Sequence, residues 1–342
     1  MNQSINLYCQ YIIHLSALLT FLSPVCASAN RMDTLLSTTK ASRTEDYASV
    51  NRDLVRYYSS PFSKQNDINS RLITALDIYR ARPYQYDSVG DGPEGDFDNR
   101  PIIATHGFDC MTLTNTVLAM VVSEDLPAFY NNYTRIRYQS FPKSYFKRHH
   151  FISFQWHPHN VQLGFIKDIT SSIQVNNQTI STLLETAINY PKWLEFQKKL
   201  LSKNQVLSPQ QNRIWQQAMQ ESSTVQALVH YIKFDDFLAS PQATSAILKQ
   251  IPGGSVVYFV TPHWDLREVI GTELDIAHLG FITVRDRIHY ITHASLKGVV
   301  TLPLVDYVRK IKESNKRFSG FSVEQILIPN KHIPEQLVSA PQ

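Results

Sequence analysis

The spacing of apolar residues changes along the chain, and this change constrains the fold more than any other feature. Before about residue 250 the apolar residues recur mostly at helical spacing, as in the candidate helix Ile68–Tyr79. The later part instead contains short β-rich runs: Ser255–Val260, Ala277–Val284, Ile288–His293 and Val299–Leu302. Asp286 and Arg287 separate two of these runs and predict a hairpin turn. Helices followed by a small antiparallel sheet indicate an α+β fold.

The composition is typical of a water-soluble globular protein. Of the 342 residues, 43% are hydrophobic and 18% are charged, which is too apolar for a disordered chain. The formal net charge of +4 is not concentrated in a dense Lys/Arg stripe, so we expect no nucleic-acid partner. After residue 29, no stretch approaches the roughly 18 apolar residues of a membrane span.

The N-terminal segment differs from the rest of the chain. Residues 1–29 contain no Asp, Glu, Lys or Arg, and the apolar run Leu15–Leu22 precedes the small residues Ala27–Ala29. We interpret residues 1–29 as a signal peptide cleaved before Asn30, with an uncleaved N-terminal anchor as the alternative. We therefore expect an exported protein, either periplasmic or secreted.

The organisation after the signal peptide is that of one domain. We expect residues 30–342 to form a single catalytic domain, because no internal repeat or linker divides them. The segment at about 171–250 is polar and amphipathic, and we expect it to be a mostly helical insertion.

Removal of the signal peptide would leave one cysteine, Cys110, which can form no internal disulfide. This thiol is therefore either a buried bystander or a reactive group. Asp109 is a favoured N-cap residue, so Cys110 begins a candidate helix whose apolar residues Leu113 and Val117 face the core. The unpaired N–H groups at a helix start favour a thiolate and can stabilise an oxyanion, so we expect a lowered thiol pKa.

Two histidines of the predicted hairpin could complete a catalytic group. Pairing around the turn at residues 286–287 brings His278 beside His293. One imidazole could take the proton of the Cys110 thiol while the second imidazole holds the first in orientation. The alternative for each histidine taken alone is a purely structural role.

Metal-dependent chemistry is the rival hypothesis. Several histidines could be read as zinc ligands: His106, His149, His150, His157 and His159. A zinc site needs three or four converging ligands, whereas clustered histidines flanked by Lys147, Arg148 and Pro158 are more typical of a solvated loop. We therefore expect neither a metal nor another cofactor.

A set of short motifs occurs in a fixed order along the chain: Pro83-Tyr84, Phe108-Asp109-Cys110, Trp156…Asn160…Gly164…Asp168-Ile169-Thr170, Trp264…Gly271-Thr272, His278-Leu279-Gly280-Phe281-Ile282 and His293-Ala294-Ser295. Their order and joint presence resemble the NlpC/P60 cysteine peptidase superfamily. Within it, the chain is most similar to the DUF1460 family of N-acetylmuramoyl-L-alanine amidase-like proteins. The resemblance covers about residues 68–300.

The resemblance implies a papain-like fold in which Cys110, at a helix N-terminus, packs on a small antiparallel sheet that carries the histidines. It implies that Cys110 is the nucleophile, His278 the base and His293 the residue that orients the base. Tyr84 would assist the oxyanion hole or the substrate. The expected substrate-binding residues are Tyr84, Asp109, Trp156 and Asn160.

Three features bear on the substrate. We expect Trp156 and Asn160 to line a sugar- or peptide-binding groove, with core packing as the alternative for Trp156. The acidic loop Gly90–Asn99 precedes the cysteine helix, and we expect it to border the same cleft. Asn115 lies in the cysteine helix where the family leads us to expect a glutamate.

The resemblance implies a hydrolase that acts on peptidoglycan or its muropeptide fragments. The expected reaction is cleavage of the amide between N-acetylmuramic acid and L-alanine through a thioester intermediate. One alternative is an endopeptidase that cuts within the stem peptide. Another is a non-catalytic cell-wall-binding protein of the same fold, against which the intact set of Cys110, His278 and His293 argues.

Overall fold

An eight-stranded sheet lies at the centre of the protein in a computed structural model, which describes residues 43–203 and 206–328. Residues 1–29, interpreted as a signal peptide, lie outside these ranges. The strands of the described part are β1 (Ile166–Asp168), β2 (Gln174–Val175), β3 (Gln178–Thr179), β4 (Thr182–Asn189), β5 (Thr224–Lys233), β6 (Ser255–Leu266), β7 (Thr272–Arg285), β8 (Ile288–Ser295), β9 (Gly298–Pro303) and β10 (Gly320–Ile326).

The strand order of the central sheet is β4-β5-β10-β6-β7-β8-β9, and β1 also pairs with β10. Strands β2 and β3 form a separate two-stranded sheet. Every pairing between these strands is antiparallel. Together with the helices, this sheet confirms the α+β prediction.

The helices surround the sheet. They are α1 (Arg43–Tyr58), α2 (Ile68–Tyr79), α3 (Cys110–Val122), α4 (Leu126–Arg137), α5 (His157–Gln162), α6 (Tyr190–Ser202), α7 (Pro209–Glu221), α8 (Phe234–Phe237), α9 (Pro241–Leu248), α10 (Arg267–Ile270) and α11 (Leu304–Ser314). Short 3-10 turns cover Pro61–Lys64, Tyr145–Lys147 and Thr170–Ser172, and a π-helical turn covers Ile152–Trp156. The predicted helices at Ile68–Tyr79 and from Cys110 are confirmed.

The sheet separates two hydrophobic cores, which explains the continuous apolar run in β6. Tyr258 packs with helices α1 to α4 on one side, whereas its neighbour Phe259 packs with α8, α9 and α11 on the other. Successive side chains of a strand point to opposite faces, so a strand buried on both faces must be apolar throughout. Of the described helices, none is both long and apolar enough to cross a bilayer.

The segment at about 171–250 differs from the mostly helical insertion that we expected. Leu183, Leu184 and Ile188 belong to strand β4, and helix α6 begins only at Tyr190. Burial along β4 alternates between neighbouring residues, so Leu184 and Ile188 share a strand face at a spacing that a helix would also give. Strands β4 and β5 extend the central sheet through β10, and helices account for only part of the segment.

The C-terminal strands follow the prediction closely. Each of the four β-rich runs lies within one strand, β6 to β9 in order. Asp286 and Arg287 form the turn between β7 and β8 and have φ angles of 51° and 64°. Two positive φ values are typical of a tight hairpin turn whose twist matches that of its strands.

Candidate active site

The first turn of α3 holds Cys110 in a fixed position. Asp109 caps this helix, because its Oδ1 accepts a hydrogen bond of 2.7 Å from the Thr112 N–H. The Thr112 hydroxyl in turn accepts from the Asp109 N–H at 3.0 Å, which completes a capping box. The second carboxylate oxygen of Asp109 accepts from the Asp87 N–H at 2.9 Å. The cap therefore ties the helix start to the preceding segment 83–87.

Tyr84 lies beside the cysteine because its segment pairs with the residues that lead into α3. The Phe108 N–H donates to the Pro83 carbonyl and the Gln85 N–H donates to the Phe108 carbonyl, both at 3.1 Å. Tyr84 and Phe108 thus form an isolated parallel bridge. The motifs Pro83-Tyr84 and Phe108-Asp109-Cys110 are more than 20 positions apart in the sequence but lie side by side in the structure.

The hairpin of β7 and β8 brings the two histidines together. The Nε2 atom of His278 lies 2.8 Å from Nδ1 of His293, and the rings are perpendicular. Phe281 pairs with Thr292 in this hairpin, so His278 and His293 are diagonal neighbours rather than directly opposite. The predicted proximity of the two side chains is confirmed.

One cavity of about 240 Å³ connects these elements. Cys110, His278 and His293 all line it, and so does Tyr84. The backbone N–H of Leu279, next to His278, interacts with the Cys110 thiol. The thiol therefore lies against strand β7 at the position of the first histidine.

Burial controls the protonation of Cys110. Removal from water raises the pKa of this thiol to about 12, and the negative charge of Asp109 adds to the increase. The N–H groups of Leu279, Cys110 and Met111 lower this pKa, but by less than burial and Asp109 raise it. The expectation of a lowered thiol pKa at the helix start is therefore wrong for this environment.

Of the two histidines, His293 is buried and His278 is half-buried. Burial, followed by the neighbouring His293, holds the pKa of His278 well below its usual value of 6.5. Burial lowers the pKa of His293 to about 4. Cys110, His278 and His293 are consequently all uncharged at neutral pH. If Nδ1 of His278 is to accept the thiol proton, its Nε2 must carry the ring hydrogen and donate to His293.

A comparison with protein families adds to this geometry. The AmiA-like family, described as N-acetylmuramoyl-L-alanine amidase-like, matches residues 75–315. The chain belongs to the AmiA-like family. The matched range contains Tyr84, Cys110 and both histidines of the pair. Among curated proteins, no sequence matches this AmiA-like chain significantly.

Solved structures share the fold of this AmiA-like protein. A Legionella pneumophila protein of the DUF1460 family is 27% identical, with a TM-score of 0.74, and the match covers 83% of this chain and 96% of that one. A structure of an N-acetylmuramoyl-L-alanine amidase from Bacteroides uniformis is 25% identical, with a TM-score of 0.53. That match covers 77% of this chain and 99% of the Bacteroides chain.

Trp156 and Asn160 do not line the cavity of Cys110 and the two histidines in the AmiA-like protein. Both residues are 0% exposed. The Trp156 indole N–H donates to Asn115 Oδ1 at 2.8 Å, and the Asn160 amide donates to the Trp156 carbonyl at 2.7 Å and the Ile136 carbonyl at 3.3 Å. The substrate-binding prediction is wrong for both, since each is part of the core. Asn115 has a structural partner that the sequence did not reveal.

The remaining two predicted substrate-binding residues do line the cavity. Tyr84 is partly exposed there, and Asp109 is 9% exposed. Both carboxylate oxygens of Asp109 already accept hydrogen bonds from the Thr112 and Asp87 N–H groups. Asp109 therefore acts first as a helix cap, and Tyr84 is the better placed of the two to contact a substrate.

The acidic loop Gly90–Asn99 does not line the cavity, contrary to expectation. Its Asp91 and Asp98 instead form salt bridges of 2.7 and 3.0 Å with the buried Arg148. Asp98 also pairs with Arg100 at 2.7 Å. The carboxylates fasten the loop to the protein interior rather than to a ligand.

The clustered histidines belong to separate environments. His149 packs on the ring of His159, whereas His150 Nε2 lies 2.8 Å from the Tyr145 carbonyl oxygen. His157 lies 3.5 Å from Glu324 on strand β10. In residues 43–203 and 206–328, no three side chains of the His, Cys, Asp and Glu types converge as metal ligands. The zinc hypothesis thus has no ligand set in this region.

Several cavity residues have no site role in the sequence prediction, including Tyr307, Phe318 and Trp264, although Trp264 belongs to one of the motifs. Trp264 follows an irregular stretch of β6 in which pairing with β7 is interrupted between Val260 and Trp264. His263 within it has a φ of 53°. Such a bulge redirects the next side chain, and no local sequence signal marks it. Tyr307 belongs to helix α11 and lies outside every motif found in the sequence.

Proposed function

We propose that this AmiA-like protein is a cysteine amidase that hydrolyses the bond between N-acetylmuramic acid and L-alanine in peptidoglycan or its fragments. The observation that carries the proposal is the shared cavity of Cys110, His278 and His293, with the 2.8 Å contact between the two imidazoles. Nucleophile, base and orienting group are the parts required for acyl transfer by a thiol. The family description and the Bacteroides amidase support the choice of bond.

The proposal includes membership of the NlpC/P60 superfamily with a papain-like catalytic domain. Its support is the packing of helix α3 on the antiparallel strands that carry His278 and His293. The motif order observed in the sequence supports the same assignment. Residues 30–342 would then form one catalytic domain.

The neutral state of the three groups determines how the first step proceeds. The Cys110 thiol gives its proton to Nδ1 of His278 as Sγ attacks the lactyl carbonyl carbon, so thiolate and carbon–sulfur bond formation are coupled. The carbonyl oxygen becomes an oxyanion near the first turn of α3, whose N–H groups can donate to it. His293 holds the resulting imidazolium of His278 through the bond to Nε2.

The second half of the reaction returns the protein to its starting state. The tetrahedral intermediate expels the L-alanyl amine, which takes the proton from His278, and a muramoyl thioester remains on Cys110. A water molecule then gives one proton to His278 and attacks the thioester carbonyl. The thiol leaves with that proton, and the sugar departs as a carboxylic acid whose remaining proton passes to the solvent. The cycle uses groups of this chain and water.

Product analysis of muropeptides by mass spectrometry tests the proposal. The expected products are a stem peptide with a free L-alanine amino group and the muramic acid as its free acid. Fragments that retain muramoyl-L-alanine would instead indicate an endopeptidase acting within the stem. Recovery of intact muropeptides bound to the protein would indicate the non-catalytic wall-binding alternative.

Export is a separate part of the proposal. It rests on the uncharged, apolar composition of residues 1–29 and on the small residues before Asn30. The substrate class is consistent with a periplasmic or secreted location. N-terminal sequencing of protein recovered from the envelope or medium should begin at Asn30, whereas recovery from the cytoplasm with Met1 would contradict export.

A further inference from the structure

A tyrosine outside every sequence motif lies at the catalytic cavity. Tyr307 belongs to helix α11, which follows β9 and packs against β8. Its ring centroid lies 4.8 Å from that of His293 and 5.2 Å from that of Phe259. The residue is 3% exposed, and it lines the same cavity as Cys110 and His278. The third catalytic residue is therefore held on one side by an aromatic ring that carries a hydroxyl group.

The Tyr307 hydroxyl keeps its proton throughout the useful pH range. Burial raises the pKa of this phenol beyond its ordinary value of 10, and a negative charge on Cys110 raises it further. A phenol that retains its hydrogen in a site where negative charge develops is a hydrogen-bond donor to that charge. Tyr307 and Cys110 line the same cavity, so the hydroxyl and the thiol share one enclosed space.

The described side chains around the Cys110 thiol carry no positive charge that would stabilise a thiolate, so a hydrogen-bond donor is needed there. Asp109, the nearest acidic group, disfavours a thiolate, and the described lining of the cavity contains no Lys or Arg. His278 can receive the proton, but both imidazoles are uncharged beforehand. Lys310 on α11 influences His293 rather than the thiol. Besides backbone N–H groups and the two imidazoles, the side-chain donors of this cavity are neutral: hydroxyl groups, among them that of Tyr307, and the indole N–H of Trp264.

We propose that the Tyr307 hydroxyl donates a hydrogen bond that stabilises the negative charge developing on Cys110 as its proton passes to His278, while the Tyr307 ring holds His293 in place. No proton leaves Tyr307 in this step: the S–H bond breaks, a bond from hydrogen to Nδ1 of His278 forms, and the phenol keeps its O–H bond. The inference rests on the proposed cysteine mechanism and adds a residue from a separate element to it.

Alkylation of Cys110 by iodoacetamide tests the inference without any substrate. The rate of adduct formation is measured against pH by mass spectrometry, with peptide mapping to Cys110, for the wild type and Tyr307→Phe. The loss of a hydrogen bond to a charged group should slow alkylation about 10- to 100-fold at a given pH and shift the profile to higher pH by about one to two units. Tyr258→Phe is the matched control, because Tyr258 is also a buried tyrosine but lies in the core away from the cavity.

Hydrolysis kinetics distinguish the contribution of the Tyr307 hydroxyl from that of the Tyr307 ring. Tyr307→Phe should lower kcat about 10- to 100-fold with KM nearly unchanged, and Tyr307→Leu should lower it further because His293 loses its ring contact. An unchanged alkylation profile together with unchanged kcat in Tyr307→Phe would overturn the inference and leave the proposed function intact. A shifted profile in a protein that cleaves no muropeptide would instead support the hydroxyl contact and overturn the proposed function.

Discussion

At the scale of single residues, the Cys110 thiol experiences opposing influences. The N–H groups at the start of α3 favour its charged form, as the sequence position implies. Its enclosure against strand β7 disfavours that charge more strongly and places the pKa at about 12. Reactivity must then come from a base that removes the proton during attack, which is the role given to His278.

The two histidines should not be equivalent. His278→Ala removes the proton acceptor and should lower kcat/KM by about 10²- to 10⁴-fold, the usual range for a general acid–base group. His293→Gln should cost about tenfold, because an amide oxygen can still accept the hydrogen bond from His278 Nε2. Steady-state kinetics on both variants, with melting temperatures as folding controls, provide the measurement. An equally complete loss in both variants would show that His293 has a more direct role.

Trp156 should now affect stability rather than substrate recognition. Trp156→Phe removes the N–H donor and leaves Asn115 Oδ1 buried without its partner, which should cost about 1–3 kcal/mol of the free energy of unfolding. Trp156→Ala should cost about 3–5 kcal/mol. Denaturant titration gives these values, and kcat/KM per folded molecule should stay unchanged. Unchanged stability with a reduced kcat/KM would restore the groove hypothesis.

At the scale of elements, the β7–β8 hairpin determines whether the histidines meet. Gly280 lies beside His293, and a Cβ at this position would lie 3.0 Å from the Thr292 carbonyl oxygen and 3.1 Å from the His293 Cβ. A methyl group therefore has to displace one strand by a few tenths of an ångström. The glycine in the His-x-Gly motif thus serves the close approach of the two strands.

Gly280→Ala tests this dependence. The shifted strand should weaken the contact between His278 and His293 and lower kcat/KM by about 10²-fold, because catalytic geometry tolerates displacement poorly. Gly320→Ala on β10 is the matched control: its Cβ also crowds a neighbouring strand, at the Ile232 carbonyl oxygen, but away from the histidines. The control should lose stability and retain activity per folded molecule. Full activity in Gly280→Ala would contradict the role given to this glycine.

Local signals predicted some elements well and others poorly. The Asp286-Arg287 turn and the strands on both sides were predictable, because a two-residue turn between apolar runs has few alternatives. Strand β4 lies in the segment that the sequence predicts to be mostly helical, since residues four apart share a face in both structures. The position of Trp264 depends on an irregularity in strand pairing, and the position of the Tyr307 ring depends on how helix α11 packs. Neighbouring residues in the sequence encode neither of these.

At the scale of the whole molecule, the residues of the proposed catalytic group were easier to locate from the sequence than the cavity walls. Cys110, His278 and His293 follow from residue type and motif order, and the structure places all three at one cavity. Trp156 was expected in a groove because an aromatic residue beside polar ones is common in both grooves and cores. Only the packing of α3 and α4 against the sheet determines whether Trp156 lies in a groove or in the core.

The pH dependence of activity reflects burial of the whole site. His278 acts as a base only when neutral, and burial moves its pKa below 6.5, so the acidic limb of kcat/KM should lie below pH 6.5. The thiol pKa of about 12 places no alkaline limb in the range where the protein stays folded. A pH–rate profile, with melting temperatures at each pH as control, provides the measurement. An acidic limb at or above pH 6.5 would contradict the lowered pKa of His278, whereas an alkaline limb within the folded range would indicate a preformed thiolate–imidazolium pair.

The central claim is that Cys110 is the nucleophile of a muropeptide amidase, and one rate measurement tests it most directly. The release of stem peptide with a free L-alanine amino group is followed by mass spectrometry for the wild type and for Cys110→Ala, with melting temperatures compared. The account predicts steady release by the wild type and none above background by a Cys110→Ala variant that remains folded. Release by that variant at a rate like the wild type's would contradict the account.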